Sequence, residues 1–241
     1  MDRLTTLIEK FHLTVTPAPE GEANLIAICN GDSEPHEVRF FTRGVSDWAD
    51  QERLMFAARV DWSGPSNPLM AAMPDRIDLD LTDQADTRTL VQLMYAEVKG
   101  RRCGAQSVIS RLGEALMVRL LREQMREGST EVGLLAGLAD PRLSRAVVAI
   151  HDHPGKLWTA ADLAGQAGLS LSRFTELFAE TVGETPMGYL RRWRLILAHQ
   201  DVRRGDRIDA VARRYAYASP EAFTRAFRKA YGVAPTVLRA A

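Results

Sequence analysis

The last eighty or so residues of the chain contain a degenerate internal repeat, in which Trp158 to Pro186 recurs as Ile208 to Pro235. Ser170 falls on Ser219, Phe174 on Phe223, Thr175 on Thr224, Phe178 on Phe227, Gly183 on Gly232 and Pro186 on Pro235. Each copy reads as a helix, a tight turn and a second helix that opens on serine and closes on glycine. That is the layout of a helix-turn-helix reader, whose second helix enters a DNA major groove. Two copies constrain this half of the chain to an all-α domain that presents two reading helices.

Charge is distributed as this reading requires. The chain of 241 residues is formally neutral, with 31 Lys plus Arg against 31 Asp plus Glu. Residues 1 to 139 hold 15 basic and 21 acidic side chains, a balance of −6; residues 140 to 241 hold 16 and 10, a balance of +6. The basic half is the half with the repeat, as expected of a module that binds a polyanion. No segment approaches twenty apolar residues, and the start MDRLTTLIEKF is too charged for a signal peptide, so the expectation is a cytoplasmic protein with no membrane partner. Cys29 and Cys103 lack both a disulfide framework and metal-ligand spacing and read as reduced thiols.

The repeat names its own candidate contacts. Asp140-Pro141 opens a helix that Pro154-Gly155 ends, and Thr159-x-x-Asp162 is a capping pattern for the next. With Phe174, Leu177 and Phe178 inward, a rotation of 100° per residue turns Ser172, Thr175, Glu176 and Ala179 outward. In the second copy Phe223, Ala226 and Phe227 face inward, and Glu221, Thr224, Arg225 and Arg228 face out. Arginine donates two bonds to guanine and glutamate accepts from cytosine, so Arg225 and Glu221 are the expected direct readers, with Glu176, Ser172, Thr175 and Thr224 as further base contacts. Phosphate contacts are expected from Arg173, Arg191, Arg192, Arg203, Arg204, Arg213, Arg214 and Arg228. Between the units Thr185-Pro186 opens a connecting helix to about Arg203, striped by Tyr189, Leu190, Trp193, Ile196 and Leu197.

Ser170-x3-Phe174-x3-Phe178-x4-Gly183-x2-Pro186-x2-Tyr189-Leu190-x3-Arg194, followed by Ala212 and Ser219-x3-Phe223-x-Arg225-x-Phe227-x4-Gly232-x2-Pro235, resembles the DNA-binding domain of AraC-family transcription regulators. Ala216 departs from the pattern, because the family usually has glycine in that turn; the expectation is a strained or reshaped turn. The resemblance implies a sequence-specific regulator that binds double-stranded DNA, typically as a homodimer, and that engages RNA polymerase where it activates. It also implies an N-terminal effector and dimerisation domain, usually a cupin-like β-barrel.

The fold expectation is therefore α+β: an effector-binding and dimerisation domain over 1–127, made of a small degenerate cupin-like barrel over about 13–81 and helices over about 84–127, a linker over 128–139, and an all-α double helix-turn-helix domain over 140–241. Strands are read at Ala23 to Cys29, Glu37 to Arg43, Leu54 to Trp62, Leu69 to Met73 and the alternating Ile77-Asp78-Leu79-Asp80-Leu81. Residues 84–98 and 104–127 read as helices, the second with an apolar face of Val108, Ile109, Leu112, Leu116, Leu120 and Leu121. That face either packs on the barrel or forms a two-fold dimer helix, and both readings stay open.

Before the linker the only histidines are His12 and His36, without HxH spacing, so no metal, cofactor or catalysis is expected of the cupin-like domain. Arg39, Arg43, Asp61 and Ser63 are similar to the RxxxR and DxS elements of PilZ domains, which bind cyclic diguanylate. Two guanidinium forks and a carboxylate-hydroxyl pair on one sheet face suit a guanine nucleotide. The fuller PilZ pattern wants glycine where Ser66 stands. Another small effector, thiol control through Cys29 or Cys103, and an architectural DNA-binding protein without effector are the competing readings.

Overall fold

Residues 4–11, 13–30, 34–45, 54–62, 67–126 and 132–239 are described by the computed structural model. They form two compact units, one spanning Phe11–Glu131 and one joining Met1–Lys10 to Val132–Ala241. Helix α1 (Thr5–Lys10) thus belongs with the C-terminal residues, whereas the sequence places it in the N-terminal domain. The reason is apolar burial with one polar anchor: Leu7 is fully buried, and the Thr6 hydroxyl donates to Asp152.

In the N-terminal unit, strands β1 (Leu13–Pro17), β2 (Leu25–Cys29), β3 (Pro35–Phe41), β4 (Leu54–Trp62) and β5 (Arg76–Asp80) form one antiparallel sheet in the order β1-β4-β2-β3-β5. Period-2 alternation sends one set of side chains to the core. Val15 pairs with Val60, Leu25 lies between Ala58 and Phe40, and Val38 lies beside Leu79. All of these are buried. Strand β1 is absent from the sequence reading because LTVTP offers only two apolar residues in alternation, Leu13 and Val15. Leu69 to Met73, read as a strand, lies in helix α2 (Pro68–Ala72) apart from its C-terminal flank Met73. The signal is the Asn67-Pro68 start, where the buried Asn67 side chain accepts from Leu69 N and proline occupies the first helical position.

Helices α3 (Ala85–Gly100) and α4 (Ala105–Arg126) pack together, and α4 lies on β1. Gly113 lets it approach: a Cβ there would stand 2.5 Å from Val15 Cγ2. Ile109, Leu116 and Leu120 are buried in this packing, while Val108 remains 42% exposed. Those three residues of the expected dimer face are therefore consumed within the subunit, and Leu112 is half-buried.

The C-terminal unit is helical throughout. Where a linker is read over 128–139, Leu134–Ala139 forms helix α5 with Leu134, Leu135 and Leu138 buried; 128–131 lie outside the described residues. An apolar run of this density cannot stay solvated, and Gly137 seats it against Val182. Helix α6 (Leu143–Asp152) starts on Asp140, whose carboxylate accepts from Arg142 N and Leu143 N at 2.7 and 3.0 Å. Then come α7 (Ala160–Ala167), α8 (Leu171–Val182), the long α9 (Pro186–Arg203), α10 (Ile208–Arg214), α11 (Pro220–Tyr231) and α12 (Pro235–Arg239).

Candidate nucleic-acid interface

The repeat is reproduced in the caps, aromatic anchors and stops of its second helices. Thr159 and Asp162 make a reciprocal capping box on α7, and the Ser170 and Ser219 hydroxyls cap α8 and α11 by accepting from Arg173 N and Ala222 N. The inward aromatic pairs match: Phe174–Phe178 and Phe223–Phe227 both have ring centroids 5.5 Å apart in edge-to-face geometry. Thr175 and Thr224 both donate their hydroxyls one turn back, to Leu171 O at 2.9 Å and Pro220 O at 2.8 Å. Gly183 and Gly232 close the two helices at φ of 85° and 75°.

The turns differ by one residue. Leu169 N donates to Ala164 O at 3.0 Å and Tyr217 N to Ala212 O at 2.9 Å, which makes Gly168 and Ala216 equivalent. Gly168 has φ 68° and Ala216 has φ 57°, so the expected strain at Ala216 is present. After them Leu169 precedes Ser170, but Tyr217 and Ala218 precede Ser219, so the second turn is longer by Ala218.

The expected base contacts are displayed unequally. Ser172, Glu176, Glu221 and Arg225 are exposed and Thr175 and Thr224 are half-buried. On α8, Glu176 is held by Arg173 at 2.7 Å, and both are exposed. On α11, a hydrogen bond from Ser219 keeps the Glu221 carboxyl below its usual range, with Arg225 adding to the effect.

The arginines assigned to phosphate separate into two groups. Arg191, Arg203 and Arg228 are exposed. The others carry carboxylate partners: Arg173 with Glu176, Arg192 with Glu184 at 2.8 Å, Arg213 with Asp209 at 3.2 Å, and Arg204 with Asp201. Arg214 is committed further, donating to both Asp201 and Asp206, and these bonds raise its pKa above the ordinary guanidinium range. It joins α10 to the end of α9, which gives it a structural role beside the expected phosphate contact.

Asp201, which the sequence reading passed over, is the hub of this joint. It is 2% exposed and receives Arg204, Arg214 and the Tyr215 hydroxyl, the last at 2.8 Å. Its signal is positional: it continues the apolar stripe Leu190, Trp193 and Leu197 by another turn, where a carboxylate must find partners. Arg194 also works inward, donating to Pro154 O and Lys156 O at 2.7 Å each and holding the loop ahead of α7. His151 is buried between Tyr189, whose hydroxyl it meets through Nε2, and the Trp193 ring at 4.2 Å. Burial, with the Arg192 charge adding to it, pushes its pKa down to about 3.

In the N-terminal unit Arg39, Arg43 and Asp61, the described members of the expected effector set, are not brought together. Arg39 forks onto Glu37 at 2.7 and 2.9 Å. Strand β3 ends at Phe41, so Arg43 lies beyond it, exposed and paired with Asp75 at 3.1 Å. Asp61 shares the sheet face of Arg39, but Arg39 aligns with Ile26 and Ile26 with Ala57, four residues away along β4. Two strand spacings and four residues separate them by about 16 Å. Ser63 lies outside the described residues. The same sheet face instead carries an apolar cluster of Ala23, Ile26 and Ile28 with Ala18, Phe41, Leu54 and Ala57. A cleft of about 400 Å³ beside it is lined by Pro17, Ala18, Pro19, Glu20, Leu54, Ala57 and Val98.

Residues 163–241 match a family model described as a helix-turn-helix domain, and residues 9–126 match one described as a cupin. The chain is 35% identical over 141 residues to a Streptomyces lividans protein named as an AraC-like transcription regulator, covering 58% of this chain and 46% of the relative. It is 30% identical over 174 residues to the HTH-type transcriptional regulator AlkR of Acinetobacter baylyi, covering 70% and 57%. It thus spans about half the length of these curated relatives. Among solved structures it is similar to the DNA-binding domain of AdpA in complex with a target DNA, at 28% identity and a TM-score of 0.40, covering 42% of this chain and 91% of that one. No helix among the described residues is long and apolar enough to cross a membrane.

Proposed function

From a chain that carries an AraC-family helix-turn-helix domain at its C-terminus and a cupin domain at its N-terminus, we propose a transcription regulator that binds double-stranded DNA sequence-specifically. The observation that carries this reading is the pair α8 and α11. Two helices with matching caps, aromatic anchors and glycine stops stand on one rigid connector, within the half of the chain that bears the positive balance. In this reading α11 supplies the charged readout through Arg225 and Glu221, and Arg191, Arg203 and Arg228 neutralise phosphates. The homodimer, and RNA polymerase contact where the protein activates, belong to the same proposal.

The reading is tested by selection from a random duplex library with the full-length protein. A bipartite site should be enriched, with its two parts roughly 34 Å, one helical turn, apart unless the DNA bends. Affinity should fall steeply with salt, log K against log salt having a slope of about −0.9 per phosphate neutralised. Recovery of no preferred sequence would leave an architectural protein instead.

For the N-terminal unit we propose a small effector seated in the cleft beside the apolar sheet face, where Pro17, Ala18, Leu54, Ala57 and Val98 offer apolar contact. Cyclic diguanylate has the sequence likeness of Arg39, Arg43, Asp61 and Ser63 in its support, and the Arg39–Glu37 pair and the separation of Arg39 from Asp61 against it. Calorimetric titration decides: saturable heat lost in Arg39→Ala would establish that ligand, and a flat titration would retire it.

A further inference from the structure

The first reading helix offers chemistry of a different kind from the second. Leu171, the first residue of α8, is 49% exposed, although leucines on the neighbouring helices, such as Leu163 and Leu190, are buried. It has no capping duty, since Ser170 performs that. The charged pair beside it and the Thr175 hydroxyl are already engaged, and Ser172 is the exposed polar neighbour. Arg173 and Glu176 neutralise one another at 2.7 Å, and the Thr175 hydroxyl spends its proton on the carbonyl of Leu171 itself. The corresponding first position of α11 holds Pro220, with Arg225 exposed farther along the helix.

The N-terminal residues of a reading helix are those that reach base edges. In the major groove the one apolar group on a base edge is the C5 methyl of thymine. An uncovered leucine at that place, with its charged neighbours paired off, matches that group and no other on the groove floor. We propose that Leu171 is a specificity-determining residue that packs on a thymine methyl, so that the first unit reads by apolar contact and the second by hydrogen bonds. This rests on the DNA-binding reading above and names what its first helix recognises.

The test uses the full-length protein and the duplex it selects. Each thymine is replaced in turn by deoxyuridine, which removes the methyl and keeps base pairing. Wild type should lose about three- to fivefold in affinity at one or two thymines of the half-site bound by α8. Leu171→Ala should bind the unmodified duplex more weakly by a similar factor and be indifferent to the same replacement, while Leu171→Met keeps the sensitivity. Since Leu171 is half in solvent, its thermal midpoint should not move. The proposal is overturned if no thymine is sensitive, or if Leu171→Ala retains the full deoxyuridine effect. A protein that selects no sequence at all fails the DNA-binding reading first, which is a separate and visible outcome.

Discussion

At the scale of single residues, the arginines of the C-terminal unit look alike in sequence and differ in what holds them. Arg225 is exposed on the outward face of α11, so Arg225→Ala should leave thermal stability unchanged. It should weaken the selected duplex by about 1–3 kcal/mol and relax preference at one base pair, read by competition across a variant library. Unchanged preference everywhere would remove Arg225 as a reader. Asp201 behaves in the opposite way. Its substitution by asparagine leaves Arg214 and Tyr215 without their shared carboxylate in a nearly buried place, at a cost of about 2 kcal/mol in stability. Part of each guanidinium is in water, which keeps the figure below that of a fully buried pair. Denaturant unfolding measures it, and a midpoint equal to wild type would show that the joint contributes nothing.

At the scale of elements, the difference between the units is concentrated in their turns. Ala216 holds a left-handed conformation that costs an ordinary residue about 1–2 kcal/mol. Ala216→Gly relieves that strain but frees the unfolded chain. The net expectation is a gain of about 0.5 kcal/mol, read as a small rise in the unfolding midpoint; a fall would mean that the alanine methyl packs usefully. This strain was legible because a glycine was missing from a turn. The extra residue Ala218 was not, since a constant shift aligns Ser170 with Ser219 and Pro186 with Pro235 but hides that the preceding helices are one residue out of step. Caps, the connecting helix and the alternating strand β5 were readable because each rests on local chemistry. Helix α5 and the partnering of α1 were not, and the α4 face allowed two readings, of which packing within the subunit holds for Ile109, Leu116 and Leu120, because an apolar run does not say which surface will cover it. The separation of Arg39 from Asp61 was hidden for a related reason: spacing within a strand says nothing about the register between strands, and register is what parts them.

At the scale of the whole molecule, acid should act on the two units unequally, because His151, the buried imidazole among the described residues, belongs to the C-terminal one. His151 is neutral in the folded protein down to a pKa of about 3, whereas in the unfolded chain it titrates near its ordinary value of 6.5. Its folded pKa is depressed, so the unfolded state binds the proton first. The stability it contributes is whole above pH 6.5 and is lost as pH falls from there toward 3, by about 1.4 kcal/mol per pH unit. By pH 5 the loss is about 2 kcal/mol. His199, also lowered by burial and then by Arg203, works in the same sense. So, at lower pH, do Asp162 and Asp209, whose carboxyls are held down by hydrogen bonds from Thr159 and Arg207. Hydrogen exchange followed by mass spectrometry, corrected for the intrinsic pH dependence of the rate, should show α6 and α9 losing protection between pH 7 and 5 while the β-sheet keeps most of its own. In His151→Gln that slope should flatten, since glutamine can still meet the Tyr189 hydroxyl and has no proton to take up. Equal loss in both units, or an unaltered slope in the variant, would show that the acid sensitivity of this protein does not originate at His151.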